Sequence, residues 1–312
     1  MAVALAFVTA GALAGACGNP RPPASAAPRL ANALAAALST VELARIPWRC
    51  IAEDLPEPTA TLDKSWKLEG HALQHETNLV IGIVADAGGA APNTLAALGR
   101  LRAKLDEGHA ELVLALGGMG TSEPELEATL GVLAKPASPV IAMPGDLESV
   151  AGETAAIARL AARGAPVVDG RLLRWIDLPG ASIALLPGAG SRLRLAAGGD
   201  GCAWQADDVV RIYQQLSARP GLRIAALAEA PREDHAGDPS GELALAPGPA
   251  IDLIVHGPTQ PVPSPARTGG RDGTRARISP GTADATPRLP ETRAPAAGLL
   301  TIHGSTWSWK PL

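Results

Sequence analysis

The chain has 312 residues, of which 46% are hydrophobic, so it has ample material for a buried core and is not a wholly disordered protein. Its formal net charge of −4 creates no basic field that would attract nucleic acid, so no nucleic-acid partner is expected. Aromatic residues make up only 3% of the chain, so the core must be built mainly from Ala, Leu, Val and Ile.

The N-terminal segment is typical of a secretion signal. Residues 1–16 are small and apolar, and Cys17 follows them. The segment is shorter than a typical membrane-spanning helix and ends in small residues, as a signal peptide does before its cleavage site. The sequence LAGAC resembles a bacterial lipobox, although no Lys or Arg precedes the apolar run. An ordinary cleaved signal or a buried N-terminal helix are the alternatives. The lipobox predicts lipidation of Cys17, a tether over residues 17–30, a domain over 31–312, and a lipid-anchored protein of the bacterial cell envelope, periplasmic or surface-exposed.

Strand and helix patterns alternate from residue 79 onward, which predicts an α/β fold with helices on both faces of layered sheets. Continuous apolar runs predict the strands Leu79–Ala85, Leu112–Leu116, Val140–Met143, Ser182–Leu186, Arg223–Ala228, Ile251–Val255 and Leu299–His303. Trp307 and Trp309 alternate in a final edge strand. Helical spacing predicts helices near residues 93–107, 122–134, 151–163 and 206–218. Asn93 is a plausible N-cap, and Ser122 and Glu125 form a capping-box pattern. Spans 231–249 and 258–297 are predicted long loops.

Three of the apolar runs end in short turns rich in glycine and acidic residues. They lie in the segments 78–89, 111–120 and 138–149, and none of the three contains a histidine. In open α/β sheets, ligands and metals bind just beyond the carboxyl ends of the strands. The three turns therefore outline one candidate site.

The order and spacing of these segments resemble the calcineurin-like metallophosphoesterases. The resemblance covers about residues 79–309 and rests on IGIVAD, LVLALGG, PVIAMPGDLE, LIVHGPTQPVP and ISPGT. It implies a layered β-sheet sandwich flanked by helices, with a two-metal site on the strand-end loops. Such a site uses two ions about 3.5–4 Å apart, bound by oxygen and imidazole ligands, to generate hydroxide and clamp a phosphate.

Several of the ligands that this resemblance implies are substituted in this chain. Asp86 matches the first aspartate of the family's Asp-x-His motif, but Gly88 replaces the histidine. Gly118 stands where the family has its metal-bridging aspartate, and Leu147 stands where it has a histidine that stabilises the transition state. The remaining positions carry Asp146 for an asparagine, Glu148 for the final acid, Glu229 for a histidine, and Pro258 and Gln260 for two further histidines.

The substitutions favour a protein that keeps the scaffold and has lost metal-dependent hydrolysis. No cofactor is expected, although Asp86, Asp146 and Glu229 could hold a single divalent cation such as Mg²⁺, Ca²⁺ or Mn²⁺ through oxygens. The protein would then serve a binding or structural role toward an unknown protein or small-molecule ligand, held at the membrane by its lipid. The alternative is an active phosphoesterase with an atypical oxygen-rich site. An α/β solute-binding lipoprotein is a third possibility, which the weak repeat between the halves disfavours.

Residues outside the strand-end acids are further candidates. Glu148, His256 and Gln260 are expected to line the site, although His256 could equally be a capped strand-end residue. Cys50 and Cys202 could form a disulfide or be two unrelated buried thiols. His71 and His75 have the i, i+4 spacing that would place both imidazoles on one helix face, as a metal site requires, but no acidic residue between them supports such a site. Six arginines in the last predicted loop suit phosphate binding but are more typical of a solvated loop: Arg267, Arg271, Arg275, Arg277, Arg288 and Arg293.

Overall fold

Two β-sheets packed face to face dominate the structure. It is a computed structural model that describes residues 50, 56–58, 60, 62–190, 195, 200–204, 206–230, 251–257, 276–285 and 295–312. In chain order the strands are β1 (Trp66–Glu69), β2 (Ala72–His75), β3 (Leu79–Val84), β4 (Leu112–Leu116), β5 (Val140–Met143), β6 (Val167–Asp169), β7 (Trp175–Leu178), β8 (Ala181–Leu186), β9 (Leu222–Leu227), β10 (Leu253–His256), β11 (Ala276–Ile278), β12 (Gly298–His303) and β13 (Thr306–Pro311). The helices are α1 (Pro92–Glu107), α2 (Glu123–Leu133), α3 (Val150–Ala162) and α4 (Ala206–Ser217).

In each sheet four parallel strands extend to one edge, and the antiparallel pairs lie in the other half. The seven-stranded sheet has the order β1-β2-β7-β8-β9-β10-β11, and the six-stranded sheet has the order β13-β12-β3-β4-β5-β6. Strands β3 to β6 run parallel to one another, as do β8 to β11. Parallel strands place their carboxyl ends at a common edge, so the turns after β3, β4 and β5 lie side by side.

The main core lies between the two sheets. Alternate residues of both sheets, such as Ile83 and Leu114 on one and Ile183 and Ile224 on the other, form one continuous apolar cluster. Helices α1, α2 and α3 bury their apolar stripes on the outer face of the six-stranded sheet. Helix α4 packs on the outer face of the seven-stranded sheet through residues that include Ile212. The predicted sandwich flanked by helices is therefore confirmed.

The hairpin β1–β2 corrects the idea that His71 and His75 share a helix face. His71 lies in the turn between the strands, where its Nδ1 is 2.6 Å from the carbonyl oxygen of Leu172. His75 ends β2, and its ring packs against that of Trp66, with the centroids 4.3 Å apart and the ring planes tilted by 42°. Both imidazoles belong to the packing of the hairpin, so they do not form the pair that a helix would have presented to a metal.

Two smaller expectations also differ from the structure. Helix α1 starts at Pro92 after Ala91, while Asn93 donates from its side-chain amide to the carbonyl oxygen of Ala285 over 3.1 Å. Proline fixes the backbone angle that the first helical turn needs, so it takes the opening position. Within the predicted loop 258–297, residues Ala276–Ile278 pair with β10 as strand β11 and include Arg277.

Several sequence predictions fall outside the described residues. These are the signal segment 1–16, Cys17 and the tether 17–30, together with Pro258, Gln260, the loop span 231–249 and the arginines 267, 271, 275, 288 and 293. Among the helices that the structure does describe, none combines the length and the apolar character that a membrane crossing requires.

Candidate functional site

A small pocket lies at the edge where the strands of the two sheets end. Its cavity volume is about 10 Å³, close to the least space that holds one water molecule. The lining residues are the last residue of β4 and residues of the turns that follow β3, β4, β5 and β9: Asp86, Leu116, Gly117, Gly118, Gly145, Asp146, Ala228 and Glu229. The structure therefore brings together the three carboxylates that the sequence singled out, Asp86, Asp146 and Glu229.

Asp86 is held by its backbone between two neighbouring segments. Its amide donates to the carbonyl oxygen of Gly117 over 2.8 Å, and its own carbonyl accepts from the amide of Asp284 at 2.9 Å and the hydroxyl of Thr282 at 2.8 Å. The residue has a φ of 51°, in the left-handed region that aspartate tolerates better than most side chains. The ISPGT segment thus fixes the turn after β3 from one side, and the turn after β4 fixes it from the other.

Gly118 occupies the position of the implied bridging aspartate, and it has no room for a side chain. Its φ is +69°, and a Cβ placed on it would lie 2.8 Å from the Cα of Asp86. The carbonyl oxygen of Gly118 also accepts the amide of Gly88 over 2.8 Å, so the turns after β3 and β4 are joined by their backbones. The position therefore lacks a carboxylate, and the neighbouring backbone occupies the space that its side chain would need.

A second close backbone contact is found after β10. A Cβ on Gly257 would lie 2.2 Å from the carbonyl oxygen of Ala228 and 2.6 Å from that of Leu116. Only glycine permits the turn after β10 to approach the ends of β4 and β9 so closely. The turn after β10 therefore packs against Leu116 and Ala228, two residues that line the pocket.

Glu148 connects two turns and is not among the residues that line this pocket. The side chain is 1% exposed; Oε1 accepts the amide of Met119 at 2.6 Å and Oε2 accepts the amide of Gly145 at 2.9 Å. Burial raises the pKa of this carboxyl to about 7, while the two backbone amides oppose the shift. Its role in the structure is to bind the turn after β4 to the turn after β5.

His256 ends β10 but also does not line the pocket. Its ring is 7% exposed, and Nδ1 donates to the carbonyl oxygen of the next residue, Gly257, over 2.8 Å. Burial lowers the pKa of the imidazole, which favours its neutral form. The interpretation as a capped strand-end residue describes this geometry.

The described side chains do not fit the two-metal centre that the resemblance implies. That centre needs a bridging carboxylate and imidazole ligands, whereas the pocket offers the carboxylates of Asp86, Asp146 and Glu229. Glu229 is 4% exposed, and its Oε2 lies 3.4 Å from the amide of Gly190. Among the residues that the structure describes, no group of three or more His, Cys, Asp or Glu side chains is arranged to hold a metal ion.

A buried charged group at the end of β6 was missed by sequence reasoning. Arg171 donates from Nε to Asp169 at 3.0 Å and from Nη2 to Thr154 at 2.6 Å, and its Nε lies 3.6 Å from the carboxylate of Glu153. Burial raises the pKa of Glu153 well above its usual value, and the charge of Asp169 adds to the effect. The available signal was the sequence Asp169-Gly170-Arg171, which begins at the last residue of β6, but the two valines before it are too few to predict a strand.

The two remaining cysteines meet beside the seven-stranded sheet. Cys50 and Cys202 form a disulfide with their Cα atoms 5.2 Å apart. They are 2% and 1% exposed and pack with Trp204 and Leu186 in the cluster beneath α4. The sequence had left open whether these thiols are adjacent.

Comparison with known proteins yields similar structures but no similar sequences. No protein-family profile matches the chain, and no curated protein matches it. A dimetal phosphatase from Danio rerio has a TM-score of 0.51 at 10% identity, over 75% of this chain and 95% of that protein. TT1561 of Thermus thermophilus has a TM-score of 0.49 at 11% identity, over 75% of this chain and 99% of that one. Purple acid phosphatase PPD1 from yellow lupin (Lupinus luteus) seeds has a TM-score of 0.44 at 12% identity, over 76% of this chain and 53% of that protein.

These identities establish a likeness of fold and nothing finer. The overlap with the Danio rerio structure extends over most of both chains. The predicted resemblance is therefore confirmed at the level of architecture: the chain has the calcineurin-like metallophosphoesterase fold.

Proposed function

We propose that this protein uses a metallophosphoesterase fold for binding, without hydrolysing phosphoesters. The observation that carries the proposal is the geometry at Gly118, where a side chain would collide with the Cα of Asp86 at 2.8 Å. A bridging carboxylate at that place is what brings two metals together in this family. In two-metal hydrolysis a metal-bound hydroxide is the nucleophile. Loss of the bridging carboxylate therefore raises the activation free energy of hydrolysis by many kcal/mol. The ligand or partner is a protein or a small molecule of unknown identity.

We also propose that the protein works in the bacterial cell envelope, anchored by a lipid on Cys17. Two features support this location: the LAGAC sequence that ends the apolar N-terminal segment, and the disulfide between Cys50 and Cys202. Disulfides persist in oxidising compartments and are rare in the cytosol. The expected result is that Cys17→Ser moves the protein from the membrane fraction to the soluble periplasmic or culture fraction. Mass spectrometry of the mature N-terminus provides the direct check, and an unlipidated N-terminus beyond residue 17 would contradict the anchor.

A second candidate function is supported by the three carboxylates of the pocket. Asp86, Asp146 and Glu229 line one cavity, and carboxylate oxygens are the ligands that Mg²⁺, Ca²⁺ and Mn²⁺ prefer. A single cation there would make the protein a phosphoesterase with an atypical site. This alternative requires the three carboxylates to move closer together, because the side chains that the structure describes are not arranged to hold a metal ion.

Metal analysis combined with an activity assay separates the two candidates. The purified protein is dialysed against Mn²⁺, its bound metal is measured, and hydrolysis of p-nitrophenyl phosphate is followed, with Asp86→Asn as the matched variant. We expect no stoichiometric metal and no turnover above that of the variant. Two equivalents of metal with turnover that depends on Asp86 would overturn the binding proposal. One equivalent of metal, lost together with turnover in Asp86→Asn and Glu229→Gln, would establish the second candidate.

A further inference from the structure

The segment 200–204, which contains Cys202, is bonded to the start of helix α3. The carbonyl oxygen of Asp200 accepts the amide of Val150 at 2.8 Å, and its Oδ2 accepts the amide of Ala151 at 3.2 Å. Amides in the first turn of a helix have no partner within the helix, so Asp200 supplies what α3 lacks. Helix α3 follows directly on the turn that carries Asp146, so the 200–204 segment fixes one end of that turn.

The same segment is bonded to the turn after β8. The carbonyl oxygen of Cys202 accepts the amide of Ala189 at 2.8 Å, and Trp204 donates its indole Nε1 to the carbonyl of Gly188 at 3.2 Å. The amide of Gly188 also donates to the carbonyl oxygen of Pro144, which lies in the turn after β5, over 2.5 Å. Bonds therefore run from Cys202 through the β8 turn to the residue two places before Asp146.

The disulfide lies directly beneath the β8 turn. A Cβ on Gly188 would be 2.8 Å from Sγ of Cys50 and 2.6 Å from the carbonyl oxygen of Cys202, so this turn is packed against the crosslink itself. Two residues further on, the amide of Gly190 lies 3.4 Å from the carboxylate of Glu229. Asp146 thus lies in a turn that is bonded to the crosslinked segment, and Glu229 lies beside the turn that packs on the disulfide.

We propose that the Cys50–Cys202 disulfide is a redox-sensitive positioning device for the strand-end pocket. In the oxidised protein it holds the 200–204 segment, and through that segment the turns after β5 and β8. A dithiol reductant breaks the sulfur–sulfur bond, delivering two electrons and two protons to give two thiols, while the reductant becomes a disulfide. The 200–204 segment then separates from the turns, and the pocket loses its fixed shape. The inference rests on the pocket being the functional site of the proposed function.

Hydrogen exchange measured by mass spectrometry tests the device without any ligand. The oxidised protein is compared with Cys50→Ser, Cys202→Ser and the double variant, each in the full chain. We expect amides in 144–151 and 186–190 to exchange roughly tenfold faster in the variants, beyond any change in the β4 amides. Leu98→Ala, in the core beneath α1, is the matched control: it lowers stability but touches neither turn, so it should raise exchange without this pattern.

Reduction of the folded wild-type protein in place covers the case in which a variant fails to fold. The same two ranges should lose protection after treatment with a dithiol, and they should regain it on reoxidation. Unchanged protection there, or a rise in exchange no larger than in β4, would overturn the proposal. Because the exchange pattern involves no metal and no substrate, metal-dependent turnover would defeat the proposed function and leave this result as it stands.

Discussion

At position 118 a carboxylate is not merely absent, because the backbone there leaves no space for one. We expect Gly118→Asp to lower the free energy of unfolding by about 1–3 kcal/mol, since any L side chain is strained at a φ of +69° and would press on Asp86. The variant should also fail to gain Mn²⁺-dependent hydrolysis. Urea unfolding and the p-nitrophenyl phosphate assay measure the two effects.

Gly99 provides a matched control for that substitution. It is exposed on α1, where an added Cβ would meet no atom within 4 Å and the backbone is not left-handed. Gly99→Asp should change the unfolding free energy by less than about 0.5 kcal/mol. Equal stability of the two variants, or hydrolysis gained by Gly118→Asp, would show that the turn can open to admit a ligand.

Glu148 makes the stability of the protein depend on pH. Burial raises its folded-state pKa to about 7 from an ordinary value of 4.5, so the folded protein binds a proton that the unfolded chain releases. The resulting contribution to the free energy of unfolding is fully present below about pH 4.5 and is lost as the pH rises to about 7. It amounts to at most about 3 kcal/mol. We expect Glu148→Gln to flatten the stability profile over this window, as measured by urea unfolding at several pH values. A slope retained in the variant would assign the pH dependence to another group.

The roles of these two residues could be predicted only in part from the sequence. The substitution at Gly118 is visible in the motif LVLALGG, but its contact with Asp86 requires the relative positions of two turns. Glu148 is visible as an acid, yet the sequence cannot show that its partners are the amides of Met119 and Gly145. Chemistry that side chains supply can be read from motifs, whereas contacts made by the backbone cannot.

Helix α3 depends on its first turn. The hydroxyl of Ser149 accepts the amide of Gly152 at 2.9 Å and so satisfies one donor that the helix leaves without a partner. We expect Ser149→Ala to lower the unfolding free energy by about 1 kcal/mol. Thermal or urea unfolding measures the change, and Ser308→Ala on the exposed side of β13 should have almost no effect. Equal losses in the two variants would contradict a capping role for Ser149.

Strand prediction succeeded for apolar runs buried on both faces and for the edge strand β13, but it missed β6 and β7. The apolar runs of β4 and β5 have the predicted bounds, because every residue in them is buried. Strand β6 has only three residues, and β7 alternates partly exposed Trp175 and Asp177 with buried neighbours. Such segments carry too few apolar residues for a periodicity to be recognised. Their pairing in the sheets, not their composition, makes them strands.

The disulfide acts on the stability of the whole molecule. Its two cysteines are separated by 152 residues, so the crosslink restricts much of the unfolded chain. Reduction should lower the unfolding free energy by about 3–5 kcal/mol if the effect is mainly one of chain entropy. Urea unfolding with and without dithiothreitol measures this, and Cys50→Ser should match the reduced protein and show no further response. A response to reductant in Cys50→Ser would mean that another cause is at work.

The strand order also has a consequence for the time at which the protein can fold. Strand β3 is the first of the four parallel strands in its sheet, yet its other neighbour is β12, so Leu79 pairs with Ile302. While the chain is being made, one edge of β3 stays open until residues 298–303 have left the ribosome. An open, apolar strand edge invites pairing with other chains, and distant pairings form slowly. The growing chain is therefore vulnerable to aggregation until residues 298–303 can pair with β3, and chaperones would protect it over that interval.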